Sequence, residues 1–161
     1  MYRILGVAIV AASFIRCGSA VRMDDIPPME ASFTTMGTMI PAPGRPTTCP
    51  EWFFEHWTAS VSRDGVADIE VSDGQRVVWN KRRQLTAKQH QKIASFVARH
   101  LAPSPEVIGQ FATDSDFGVV QAGGQRLEAN GALEVEAEFR RFYRLINFLE
   151  RELDIPNPYC R

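Results

Sequence analysis

A sustained alternation of apolar and polar side chains runs from Trp57. Trp57, Ala59 and Val61 occupy every second position, and so do Ala67, Ile69 and Val71. A period of two puts each set on one face of a half-buried strand. Asp64-Gly65 lies between the runs, and an Asp-Gly step there predicts a hairpin closed by a type I′ turn, which needs positive φ at both central residues. Asp73-Gly74 divides the second run from residues 76–80, so the simplest product is a three-stranded antiparallel meander with Trp57 and Trp79 as its largest apolar side chains.

The period then becomes helical. Thr86-Ala87-Lys88-Gln89 has the form of a capping box, the Thr86 hydroxyl placed for the Gln89 amide and the Gln89 side chain able to reach back. Ile93, Phe96, Val97, His100 and Leu101 share one face of the helix that follows, Lys88, Gln91, Lys92 and Arg99 lie mostly on the other, and Pro103 and Pro105 end it. Residues 117–121 and 125–129 flank Gly123-Gly124 and predict a second hairpin. Val135, Phe139, Phe142, Leu145, Ile146, Leu149 and Leu153 then follow the i, i+3, i+4 spacing of a long amphipathic helix, with Glu136 and Arg140 paired on its wet side. The order β-β-β-α-β-β-α predicts an α+β domain: an antiparallel sheet of about five strands with two helices packed on one face.

What precedes the domain is different in kind. Residues 1–20 combine a short positive start at Arg3, an apolar run from Ile4 to Ile15, and Gly18-Ser19-Ala20 before a cut at Val21, the form of a signal peptide. The run is too short to span a bilayer stably, and Arg16 between run and cut is its one irregular feature. Cys17 is the residue a lipid anchor would use, but Phe14-Ile15-Arg16 lacks the small residue such processing needs. Residues 21–48 carry Pro27, Pro28, Pro41, Pro43 and Pro46 with no regular period, and read as an extended linker. The single domain is then 49–161.

Removing the signal removes Cys17 and leaves Cys49 and Cys160, an even pair in the oxidising compartment of an exported protein, periplasmic or secreted. A bridge between them is expected. With Arg3 and Arg16 gone, the 18 basic side chains become 16 against 19 acidic ones. This balance gives no pull toward nucleic acid, and the local clusters Lys81-Arg82-Arg83 and Arg140, Arg141, Arg144 read as solvated turn and helix faces.

The candidate chemistry is sparse. His56, His90 and His100 have no zinc-ligand spacing. Asp114-Ser115-Asp116 begins like a calcium loop, but Gln125 stands where a bidentate carboxylate is required. Met29, Met36 and Met39, with Met23 nearby, offer soft ligands that would suit Cu(I). Glu55, beside the aromatic run, is a candidate carboxylate for a small envelope hydrolase. No nucleophile elbow and no phosphate-binding glycine loop is present. Trp52, Phe53, Phe54 and Trp57 form the densest aromatic patch, either a contact surface for a protein partner or the closure of the sheet's open end. The expectation is an exported, disulfide-linked binding module without a cofactor, inhibitory or immunity-like, whose partner is another protein.

Overall fold

The computed structural model describes residues 26–34, 56–72, 76–101, 106–109, 116–131 and 136–156. In chain order the elements are β1 (Met29–Thr34), β2 (His56–Val61), β3 (Val66–Ser72), β4 (Val77–Gln84), α1 (Ala87–His100), β5 (Glu106–Ile108), β6 (Phe117–Ala122), β7 (Gln125–Asn130) and α2 (Glu136–Leu153). The strands form one seven-stranded sheet in the order β4-β3-β2-β1-β6-β7-β5.

The fold is α+β with two helices, as the pattern predicts, but the sheet is larger than five strands and is mixed. β1 falls inside the stretch read as linker, and it is the strand that joins the two halves, antiparallel to β2 on one side and to β6 on the other. Met29, Ala31 and Phe33 are buried while Glu30, Ser32 and Thr34 face the other way, so the six residues carry the period of two in full. The flanking prolines stop short of them: Pro27 and Pro28 come just before the first ladder pair, where a missing N–H costs nothing. β5 pairs with β7 in parallel. At three residues it is too short to show a period.

Buried positions alternate along β1, β2, β3, β6 and β7 onto one face, and they form a single core with Ile93 and Val97 of α1 and with Phe142, Leu145, Ile146, Leu149 and Leu153 of α2. Each such side chain, fully buried, contributes about 1.5–3 kcal/mol before entropy is counted. At the centre, Phe33 lies 6.2 Å from Trp57, 6.1 Å from Phe142 and 6.3 Å from Tyr143, centroid to centroid. The two helices meet through Phe96 and Phe148, stacked at 3.7 Å, with His100 on the far side of Phe96 at 4.1 Å.

Local signals resolve in detail. The Thr86–Gln89 capping box forms with both of its reciprocal bonds. The turn at Asp64-Gly65 is not type I′: only Gly65 has positive φ, at 82°, and Gly65 N–H donates to Ser62 C=O at 3.0 Å, giving a three-residue loop with glycine in the left-handed position. The type I′ geometry appears instead at Gly123-Gly124, with φ of 57° and 80° between the paired residues Ala122 and Gln125. Phe139, placed by its spacing on the buried face, is 49% exposed at the start of α2, where it packs against Tyr143 at 4.5 Å. Near the other end of that helix, Asp154 takes φ 55° and Ile155 N–H donates to Glu150 C=O at 2.8 Å, closing the last turn.

The basic run on β4 divides by the strand's alternation. Lys81 and Arg83 turn toward α2 and reach Asp154 at 3.1 and 2.8 Å, and Arg83 also donates to the Glu152 carbonyl, which puts cations at a helix C-terminus. Arg82 turns the other way, toward Asp68 at 3.4 Å. No helix among the described residues is long and apolar enough to cross a membrane.

Candidate functional site

Both helices pack on the same side of the sheet, and among the described residues nothing covers the other side. The strand register fixes what that face presents. Across the six strands from β4 to β7, one row reads Arg82, Asp68, Ser60, Glu30, Gln121, Arg126, and the row beside it reads Asn80, Glu70, Thr58, Ser32, Val119, Glu128. Of the four central positions on β1 and β2 only Glu30 is long: Ser32, Thr58 and Ser60 are short, beside Asp68 and Glu70 on β3 and Gln121 on β6. With the twist of the sheet, this leaves an open trough of about 650 Å3, floored by Ser32, Thr58 and Ser60 and the main chain at Ala31 and Ala59.

Three carboxylates, from Glu30, Asp68 and Glu70, and one guanidinium, from Arg126, line it. Arg126 is committed: it donates to Gln121 at 3.0 Å and to Glu128 at 2.7 Å, and Gln121 in turn donates to Glu30 at 2.6 Å. Asp68 keeps its contact with Arg82. Glu70 is exposed and has no ion pair among the described residues. The trough therefore offers hydroxyls that both donate and accept, and carboxylate oxygens that accept. Its lining includes no nucleophile–base pair, and no group of three metal-ligating side chains occurs among the described residues.

The residues singled out in the sequence scatter. Trp57 is fully buried, its indole N–H donating to Glu150 at 3.2 Å, so this ring belongs to the core and offers no contact surface. Trp52, Phe53, Phe54, Glu55, Cys49, Cys160, Met36, Met39, Asp114 and the Asp73-Gly74 turn lie outside the described residues. Met29 is 4% exposed on the core face of β1, which removes it from any methionine arm. Asp116 accepts a hydrogen bond from the Tyr143 hydroxyl, and Arg141 bridges the His100 carbonyl and Glu106 at 2.9 and 2.8 Å.

The histidines separate as well. His100 is a half-buried helix residue bonded to the Phe96 carbonyl at 2.8 Å. His56 pairs across strands with Thr34, Nδ1 to Oγ1 at 2.7 Å, and burial holds its pKa below the usual histidine value against a hydrogen bond with the Phe33 main chain. His90 is buried on α1, and burial lowers its pKa too, opposed by the charge of Asp64. Both imidazoles are thereby biased to the neutral form.

Glu150 was not singled out by the sequence, although it stands four residues after Ile146 on the buried stripe of α2. A carboxylate at that position signals a buried partner, here the Trp57 indole. No protein-family model matches the chain, and no curated protein matches it.

Proposed function

We propose that the protein is an exported, non-catalytic module that binds another protein through the uncovered face of its sheet. The observation that carries the reading is the trough itself: five strands, β1, β2, β3, β6 and β7, line a polar hollow with a floor of small hydroxyls and a net excess of carboxylate, on the face of the sheet opposite the core. A sheet with one packed face ordinarily returns charged, interlocked side chains to solvent on the other; shortened side chains at the centre leave room for a partner's own side chains. The acidic rim favours a partner that presents basic and amide donors. Export with a Cys49–Cys160 bridge is part of the same proposal and rests on the signal-like first twenty residues and the even cysteine count.

Site-specific photo-crosslinking in the native exported fraction tests it. A photoreactive residue at Ser60 is expected to give a discrete protein adduct that disappears in the background Asp68→Arg/Glu70→Arg, while the same probe at Gln91, on the exposed side of α1, gives none. An absence of adducts from Ser60, or the same adducts from Gln91, overturns the reading.

A further inference from the structure

One hydroxyl organises the loop between β2 and β3. Ser62 Oγ accepts from Val66 N–H at 3.0 Å and has a single proton to give. Two acceptors stand within its reach: the exposed Asp64 carboxylate and the Val66 carbonyl, the latter at 3.2 Å. The loop's main chain is tied separately to the end of β4, where Leu85 N–H donates to Gly65 C=O at 2.9 Å and the Gln84 side chain to Asp64 C=O at 2.8 Å. The carboxylate can therefore change partner while the main chain stays in place.

Behind this loop lies a buried imidazole. His90 is 1% exposed, and its Nδ1 has no hydrogen-bond partner among the described residues. That nitrogen abuts Gly65, where an added Cβ would stand 3.2 Å from it, so the absence of a side chain is what lets ring and loop meet. With no acceptor beside Nδ1, the neutral ring is assigned its proton on Nε2, and Nδ1 is the nitrogen that takes up a second. Around the ring, β4 brings the neutral Gln84, the β6–β7 turn brings the neutral Gln125, and the start of β1 brings apolar side chains. Asp64 is the one charge among the described residues that acts on it. Burial keeps the ring neutral until the pH falls below the ordinary histidine value of 6.5. Asp64 stays ionised through that range, because the bond from the Ser62 hydroxyl holds its carboxyl below the usual value.

We propose that the β2–β3 loop is an acid-driven switch: when His90 Nδ1 takes a proton from solvent, the Asp64 carboxylate leaves Ser62 for the new N–H, and the Ser62 hydroxyl turns to the Val66 carbonyl. A buried imidazolium without a partner is strongly unfavourable, and Asp64 is the anion placed to answer it. Both arrangements keep the hydroxyl and the carboxylate bonded, so the exchange needs no unfolding of the sheet. The switch is separate from the trough and stands or falls without it.

An NMR titration of the isotope-labelled full chain, from about pH 7.5 to about 4.5 so as to span the histidine range, tests it. The His90 ring nitrogens are expected to titrate in one step below pH 6.5, and the Val66 carbonyl carbon, gaining a hydrogen bond, to shift with the same midpoint. The two loop variants move that midpoint in opposite directions. Asp64→Asn removes the anion and lowers it; Ser62→Ala frees the anion from its competing partner and raises it. A His90 that stays neutral to the end of the titration, a Val66 carbonyl that does not follow it, or a midpoint unmoved by either variant overturns the proposal, as does collapse of the whole spectrum in step with His90. Should Ser62→Ala fail to fold, the Val66 carbonyl of the unaltered protein decides.

Discussion

Phe33→Ala is expected to destabilise the protein by about 3–5 kcal/mol, measured as a fall in the urea midpoint at constant slope. The ring is 2% exposed and touches the aromatic side chains of β2 and α2 at once, so its loss opens a cavity where both halves of the sheet meet the second helix. A domain of this size holds only about 5–15 kcal/mol in total. Were Met29–Thr34 a linker, the same change would fall within about ±0.5 kcal/mol. An effect that small would remove β1 from the core.

Gly118→Ala is the second large effect, and it acts by excess instead of loss. Gly118 lies on the core face of β6 directly beneath Phe142, and a Cβ there would stand 2.6 Å from Phe142 Cζ and 3.1 Å from the Ser32 carbonyl. The ring cannot retreat, because Phe33 and Tyr143 pack against it at 6.1 and 5.2 Å. Overpacking of this kind costs about 1–3 kcal/mol. Phe142→Leu alone is destabilising, but it vacates the space the new methyl needs. The double variant is therefore expected to be more stable than the sum of the singles by at least about 1 kcal/mol. Strict additivity would mean that the glycine does not accommodate the ring.

Both residues show what the sequence makes legible. α1 and α2 declare themselves through helical spacing, and the Thr86–Gln89 box marks the start of α1, because these signals are local and need no partner strand. β2, β3, β6 and β7 are readable for the same reason, as alternating runs next to glycine turns. β1 is harder: Met29, Ala31 and Phe33 alternate with Glu30, Ser32 and Thr34 in plain order, but the run is short, proline precedes it, and its ladder partners are Val61 and Ala122 at the far ends of other strands. Nothing within the segment announces a central strand. A parallel partner makes β5 harder still, since Glu106-Val107-Ile108 reaches β7 only after the chain has passed through β6.

The trough was invisible for a related reason. Its members come from β1, β2, β3, β6 and β7, and only the register sets Ser60 beside Glu30 and Gln121 beside Arg126. Each residue alone is an ordinary polar position on the wet side of a strand. Of the aromatic patch, read as either a contact surface or the closure of the sheet's open end, Trp57 is the one member among the described residues, and it lies in the core. Trp57 is conspicuous in the sequence, and its prominence reflects the volume the core requires.

The trough is built on β1, which gives it Glu30 and Ser32. Hydrogen–deuterium exchange of the full chain, followed in peptides covering residues 29–34, therefore bears on the account most directly. A strand paired on both sides has its amides bonded to β2 or to β6 and opens only with the sheet. The account predicts that these amides exchange as slowly as those of His56–Val61; exchange at the rate of an unstructured chain would contradict it.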